Sequence, residues 1–485
     1  MTTRRLFLYL LLFGTFIWAG PYFMGHFSEQ KYHRFIKMVS KMDGIQLKAI
    51  SYQRHWRHAQ ARTQVTILAP SWIRLLNQWG ATTKPTSSSG YLSFILVHDI
   101  QHGPLLQQQP KNYTAWQLGR AQINSRLLID EKAKSKIEAE TGIAELLTVQ
   151  SEINLTGEIT IKLGGESFKL TSQAPTAPPT WQGISAHWTG NNALTAIEGK
   201  LQLPGFNFDW FNRHYAAQNC QLKTERSRNS QLGWSGKSHL KMEKFHYYLP
   251  EPNAKQLLAN DLKLDTVIDK SAQQSQLALG LRIERLEVGK AQYSPIRYQM
   301  EIKNLPNLGL KIGSSVKSID LNAYFLRLNQ EFWTEVYALY PMFLKTHPSF
   351  KLNNLFIGTE HGNIQGKMNL AITPVKPLYG SMEAQLRQSL NGEAFLQVPR
   401  NLFKNWLEQF ILNQSPNLNA QHVPPLVRQY INLLIKDGLL KTNDNNFELN
   451  LQLRRGHLNV NGNLVPIQKW LNQLPPLKAS KVEPE

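Results

Sequence analysis

The stretch INLTGEITIKLGGESFKL, at Ile153 to Leu170, shows a pattern that recurs along much of the chain. Apolar and polar residues alternate through it, which is typical of a β-strand with one buried face. Gly164 and Gly165 lie between two alternating runs and predict a two-residue hairpin turn. Similar runs occur on both sides of this stretch. Because neighbouring runs are close in sequence, we expect an antiparallel meander.

Alternating runs extend from Ile45 to about Leu310. They are IQLKAISYQRHW, ARTQVTIL and YLSFILVHDI before the quoted stretch, and GISAHWTGNNALTAIEGKLQLPGFNFDW, SGKSHLKMEKFHYYL, NDLKLDTVID, SQLALGLRIERLEVG and RYQMEIKNL after it. Strands of this kind in series leave two arrangements open. Their apolar face either closes into an ordinary core or curls open into a groove that could hold a lipid chain. The pattern does not separate the two.

Helical spacing returns in the last third of the chain. The predicted helices are Leu321 to Leu344, Asn401 to Asn413, Pro425 to Lys436 and a short one at Pro466 to Leu474. A strand region at Phe350 to Arg387 and a hairpin at Asn446 to Gly462 lie between them.

The N-terminal segment Leu6 to Gly25 contains no charged residue. Twenty helical residues reach roughly 30 Å, which matches the hydrocarbon core of a bilayer. The residues at its end are too bulky for a signal-peptide cleavage site, so we expect an uncleaved anchor rather than a removed signal. Arg4 and Arg5 favour a cytoplasmic N-terminus. The expected topology is therefore a single-pass membrane protein with its N-terminus inside and its body outside.

These observations predict an α+β protein: an N-terminal transmembrane helix, a large antiparallel, β-rich body, and several helices in the C-terminal third. The expected parts are a cytoplasmic tip and anchor at 1–25, a juxtamembrane amphipathic helix at 26–44, the β-rich body at 45–320, a C-terminal α+β part at 321–474 and a disordered tail at 475–485.

Charge and cysteine content restrict the partners. The chain has 54 Lys and Arg against 34 Asp and Glu, a formal net charge of +20. The cations are scattered, with no basic block or recognisable binding module, so we expect no nucleic acid. We expect this positive charge to attract anionic phospholipid. The alternative is that the charge serves only to keep the protein soluble. Cys220 is the one cysteine, which excludes an intramolecular disulfide and any site built on several cysteines.

His98, Asp99 and His102 form the one compact titratable cluster in the sequence. On a helix, the two histidines would share a face and could bind zinc. The run before His98 is strand-like, however, and on a strand the two rings would lie about 13 Å apart, too far for one metal ion. We therefore expect no metal and a structural turn, in which His102 bonds backbone groups and Gly103 and Pro104 set the bend. Catalysis by the cluster is the alternative.

Several short motifs follow one another along almost the entire chain. They are the N-terminal apolar segment, a Ser-Tyr strand at Ser51 and Tyr52, a strand ending in His102, Gly103 and Pro104, and a C-terminal strand pair with Gly456, Asn461 and Gly462. In this order and spacing the chain resembles the YdgA-like Gram-negative envelope family of unknown function, also described as bacterial virulence proteins. The resemblance implies inner-membrane anchoring, a periplasmic body and no established catalytic residue.

One position departs from the family pattern. The residue before the His-Gly-Pro triplet is acidic in the family's typical member and is Gln101 here, which weakens any acid–base role for the motif. The repeated amphipathic strands are also similar in style to AsmA-like envelope proteins, which are linked to phospholipid movement. This second likeness is one of architecture alone.

The sequence contains no nucleophile elbow, phosphate-binding loop or His-Glu-x-x-His motif. We therefore expect a non-enzymatic envelope structural or lipid-handling factor without a cofactor, whose protein partners are unknown. A periplasmic enzyme using His98, Asp99 and His102 is the first alternative. A cytoplasmic nucleic-acid binder, which would need the reverse topology, is the second.

Overall fold

The computed structural model describes 20–37, 40, 45–68, 91–108, 115–128, 148–169, 180–193, 195–210, 213–229, 233–249, 255–271, 274–306, 342–373, 388–414 and 420–465, with a few single residues between 135 and 147 and at 385. The chain divides into two compact units. Unit 1 comprises Met1–Asn229, Leu240–Gln256 and Ile312–Ser318, and unit 2 comprises Ser230–His239, Leu257–Lys311 and Ile319–Glu485.

Strands hold 66% of the described residues and helices 19%, so the described part of the protein is mostly β. The strands are β1 Ile45–Arg54, β2 His58–Leu68, β3 Tyr91–His102, β4 Leu105–Gln108, β5 Ala115–Leu118, β6 Ala121–Leu127, β7 Thr148–Ile153, β8 Ile159–Gly165, β9 Phe168–Lys169, β10 Thr180–Trp181, β11 Ile184–Gly190, β12 Ala196–Trp210, β13 Arg213–Asn229, β14 Gly233–Leu249, β15 Lys255–Lys270, β16 Gln274–Ile283, β17 Arg285–Val288, β18 Ala291–Pro306, β19 Ser349–Thr359, β20 Gly362–Ile372, β21 Leu390–Pro399, β22 Lys441–Asn443, β23 Asn446–Arg454, β24 His457–Val460 and β25 Asn463–Val465. The helices are α1 at 20–37, a short α2 at 342–346, α3 Arg400–Gln414 and α4 Val423–Lys436, which follows a 3-10 turn at Ala420–His422.

Unit 1 is an antiparallel meander. Its strands pair in the order β1, β2, β3, β6, β7, β8, β11, β12 and β13, and each of these neighbouring pairs is antiparallel. Helix α1 lies on one end of this sheet, over a buried cluster of Ala59, Ala61 and Ile100. Ala59 and Ala61 are small, which lets the helix approach the sheet closely.

Unit 2 repeats the arrangement. From β15 the strands pair antiparallel through β16, β18, β19, β20, β21, β23, β24 and β25. Helices α3 and α4 pack on the β20 to β23 region, where Val423, Val427, Ile431 and Phe447 form a buried cluster. The first three recur every four residues along α4, which is the spacing of one helix face. The predicted helical pair at Asn401 to Asn413 and Pro425 to Lys436 is confirmed by α3 and α4.

The β-rich body is confirmed, whereas the prediction of an α+β protein with a transmembrane helix is wrong. No helix within the described residues is long and apolar enough to cross a membrane. The described part of α1 overlaps the predicted span at 20–25 and continues through Glu29, Lys31, Arg34 and Lys37, which are costly in hydrocarbon. The predicted single-pass inner-membrane localisation with a periplasmic body is therefore not supported. Residues 1–19 of the predicted tip and anchor lie outside the described residues.

The predicted hairpin at Gly164 and Gly165 is also wrong. Both glycines belong to β8 and pair with Ser185 and Ile184 of β11. The chain instead reverses before β8, where Gly157 has a φ of 88° and the Asn154 side-chain oxygen accepts the Glu158 backbone N–H at 2.8 Å. An Asn side chain that bonds the nearby backbone stabilises such a turn without a glycine pair.

Several predicted elements fall outside the described residues. They are most of the helix at Leu321 to Leu344, the short helix at Pro466 to Leu474 and the tail at 475–485.

Candidate functional site

The predicted titratable cluster lies at the end of β3, where α1 crosses the sheet. His98 and His102 are on the face that α1 covers, because the Tyr32 ring of α1 lies beside the His98 ring and the Pro21 carbonyl of α1 bonds His102. Asp99 is on the opposite face. The structure therefore does not bring the three predicted residues together into one site.

His98 is the centre of a hydrogen-bonded group that spans three strands and α1. Its Nε2 lies 2.8 Å from Thr63 Oγ1, and its Nδ1 lies 2.7 Å from Ser125 Oγ. Tyr32 of α1 lies 2.7 Å from the same Thr63 hydroxyl, with its ring 5.9 Å from the His98 ring. Burial lowers the pKa of His98 to about 4, and the Asp99 charge only partly offsets this. Both ring nitrogens are thus occupied on a neutral imidazole.

His102 holds the first turns of α1. Its ring is 1% exposed, and Nδ1 lies 3.0 Å from the Pro21 carbonyl oxygen. Gly25 faces the ring, where a Cβ would lie 2.6 Å from Cε1. Burial lowers the pKa of His102, although the Pro21 and His58 carbonyls favour the protonated ring. Gly103 has a φ of 138°, a conformation that favours glycine, and a Cβ there would meet Pro21 at 3.4 Å.

The Ser-Tyr pair lies beside this group. Ser51 follows an irregularity in the register of β1, and Tyr52 contacts Tyr32 with ring centroids 5.2 Å apart. Burial, with Glu29 nearby, raises the pKa of Tyr52 to about 12. Its hydroxyl has no hydrogen-bond partner among the described residues.

The C-terminal motif residues form two tight turns. Arg455 and Gly456 join β23 to β24 with φ of 50° and 80°, and Asn461 and Gly462 join β24 to β25 with φ of 53° and 97°. Two positive φ values in succession are typical of type I′ hairpins. Asn461 also accepts the Asn450 N–H at 2.8 Å and donates to the carbonyl of Gly438, at the end of α4, at 3.2 Å.

Unit 2 contains a broader candidate site, which we call the apolar face. Three rows of directly opposed side chains cross seven strands, from β15 to β23. The rows are Ile268, Leu277, Ile302, Phe350, Leu370, Gly392 and Leu453; Thr266, Leu279, Met300, Leu352, Met368, Ala394 and Leu451; and Leu264, Leu281, Tyr298, Leu355, Gly366, Leu396 and Leu449. At about 4.8 Å per strand, each row is about 29 Å long.

Helices α3 and α4 cover only the margin of the apolar face. Ile364, Val398 and Leu402 are buried there with Ile357 and Phe403 packed against them. Away from that margin, the residues of the three rows are half-buried or exposed, except for Gly366, which is buried. Met368 is 36% and Leu396 37% exposed, which is unusual for adjacent apolar residues in the middle of a sheet.

The opposite face of the same strands is polar. Arg282, Arg297, Gln299, Gln365 and Lys367 alternate with the row residues. The sheet of unit 2 is therefore amphipathic across its width, with a strip of apolar surface that the described residues leave partly uncovered.

The described residues offer little support for metal binding or for thiol chemistry. The described residues contain no group of three His, Cys, Asp or Glu side chains that could hold a metal ion. Cys220 is half-buried in β13, and burial raises the pKa of its thiol. A raised pKa disfavours the reactive thiolate.

Comparison with known families gives one finding. A family described as a bacterial protein of unknown function (DUF945) matches residues 7–468. Searches of curated proteins and of solved structures found no match. The predicted membership of a bacterial family of unknown function is thus confirmed, while the narrower YdgA-like and AsmA-like resemblances stay predictions.

Proposed function

We propose, for this chain, which belongs to the DUF945 family of bacterial proteins of unknown function, a non-enzymatic lipid-handling role. The apolar face of unit 2 holds the acyl chains of an anionic phospholipid. The observation that supports this proposal is the three continuous, mostly apolar rows, whose side chains are largely half-buried or exposed.

The dimensions of the apolar face suit an acyl chain. One acyl layer of a bilayer is about 15 Å thick, half of a hydrocarbon core of roughly 30 Å. The rows, about 29 Å long, exceed that length. Leu and Met side chains dominate the middle of the face. The flexible Met side chain can adapt to a ligand, such as an acyl chain, that has no fixed shape.

The free energy of such binding comes from the number of acyl-chain methylenes that the face covers rather than from any single contact. Each methylene removed from water contributes about 0.8 kcal/mol, so covering about eight of them contributes about 6 kcal/mol before the cost of association. The net charge of +20 favours a lipid with an anionic headgroup.

The experiment uses the full chain and a fluorescent phosphatidylglycerol. We expect saturable binding that unlabelled phosphatidylglycerol displaces better than phosphatidylcholine. Met368→Glu should weaken binding at least tenfold, because it places a charge in the middle row. Gln365→Glu is the matched control, since it adds the same charge to the same strand on the opposite face.

Two results would count against the proposal. One is a folded chain, checked by circular dichroism, that shows no saturable binding. The other is an equal loss of affinity in Met368→Glu and Gln365→Glu, which would trace the effect to charge rather than to the apolar face.

A further inference from the structure

The polar face of unit 2 contains a row of three directly opposed cations. Lys263 of β15 pairs with Arg282 of β16, and Arg282 pairs with Arg297 of β18. Like charges directly opposite one another destabilise a sheet. With two strand spacings between its ends, the row brings three cations within about 10 Å.

The three cations are incompletely neutralised. Arg282 forms an ion pair with Glu284 at 2.5 Å. In the part of the chain that the structure describes, Lys263 and Arg297 have no acidic partner within ion-pair distance, and Arg297 lies over the Phe356 ring at 6.0 Å. Stacking on an aromatic ring orients a guanidinium without using its hydrogen-bond donors.

These side chains line a cleft of about 450 Å³. Gly280 lies on the row beside the cations and adds no side chain, which leaves space over the middle of the cleft. The amides of Gln299 and Asn354 line the same cleft. Asp265 is its one acidic lining residue, and its carboxylate is already bonded to the His239 ring.

We propose that this cleft binds a phosphate group carried by a small polar molecule. Guanidinium groups bind phosphate oxygens in a bidentate manner, and a lysine adds a point charge. The amides supply further donors, and the volume exceeds what phosphate alone requires. A bound phosphate would relieve the repulsion within the cation row. The three cations lie on the face opposite to the apolar rows, so the argument for phosphate does not depend on the proposed lipid binding. Leu281 and Tyr298 of the third row also line the cleft.

The test measures the thermal midpoint of the full chain against inorganic phosphate, with chloride at matched ionic strength. We expect a saturable rise with phosphate alone. Arg297→Gln and Lys263→Gln should each weaken the apparent affinity about tenfold. Asp265→Asn should strengthen it, because it removes the one negative charge that faces the ligand. Lys367→Gln, on the same face and opposite Phe395 rather than another cation, should leave it unchanged.

The cation variants are expected to fold, because each removes a like-charge repulsion. An equal rise with chloride would overturn the site, as would an unchanged response in Arg297→Gln or an equal loss in Lys367→Gln. A response to phosphatidylglycerol vesicles without one to inorganic phosphate would also overturn it, and would assign anion recognition to the lipid surface.

Discussion

The contact between Gly25 and His102 leads to a prediction in which two effects of known size oppose each other. Gly25 lies inside α1, where Gly→Ala normally stabilises a helix by about 1 kcal/mol. Here the added Cβ would lie 2.6 Å from Cε1 of His102 and 3.0 Å from both ring nitrogens. The ring is 1% exposed and is bonded to the Pro21 carbonyl, so it has little room to move. Overpacking of this kind costs about 1–3 kcal/mol.

We therefore expect Gly25→Ala to destabilise the α1 region by about 1 kcal/mol net, despite its better helix propensity. In a His102→Ala background the clash is absent, and the same change should stabilise by about 1 kcal/mol. The sign of the Gly25→Ala effect thus depends on His102, which corresponds to a coupling energy of about 2 kcal/mol.

The assay is native-state hydrogen exchange, read in peptides from α1 and β2, because it measures local opening free energies without assuming that the two units unfold together. Gly164→Ala in β8 is the control, since its Cβ would meet Thr148 at an ordinary 3.5 Å. Increased protection in Gly25→Ala with His102 intact would refute the argument that His102 fixes the position of α1.

Two further predictions concern single side chains. Burial lowers the pKa of His98 to about 4, from an ordinary value of 6.5. As the pH falls, His98 is therefore protonated at a higher pH in the unfolded chain than in the folded chain. The free energy of unfolding, measured by urea titration, should decrease by up to about 3 kcal/mol between pH 6.5 and 4. His98→Asn should flatten this dependence on pH, and an unchanged dependence would contradict the lowered pKa of His98. Asn461→Ala loses the bonds to Asn450 and Gly438 at a positive φ, and should cost about 1–3 kcal/mol in urea. Asn461→Gly loses the same two bonds but places no Cβ at the positive φ, so it should cost less than Asn461→Ala. Equal losses would contradict a role for backbone strain at this turn.

Alternation along the chain was sufficient to predict most strands. The strands β1, β2 and β3 coincide with the first three predicted runs. Strand β13 was missed, because the side chains on its half-buried face include Cys220, Thr224 and Arg226, which make a weak apolar pattern. A strand whose neighbours bury only part of it does not need a strongly apolar face.

The site was less predictable, because it depends on register. Met300, Leu352 and Met368 are neighbours on three strands, yet 68 positions separate the first from the last, and no local pattern aligns them. The same holds for His98, whose two hydrogen-bond partners, Thr63 and Ser125, come from strands on either side. Sequence could indicate that His98 is on a strand, but not that hydroxyl groups occupy both of its nitrogens.

Register also explains how one sheet could bind two unlike ligands. Leu281 and Arg282, or Tyr298 and Arg297, are adjacent in sequence and lie on opposite faces. A slip of one residue would exchange the faces and place cations among the side chains proposed to contact acyl chains. In β19, Leu352 and Leu355 would be on opposite faces of a regular strand, but a bulge at Asn353 and Asn354 brings both onto the apolar face. The bulge thus keeps the apolar rows continuous across β19 and leaves Asn354 in the cleft proposed to bind phosphate.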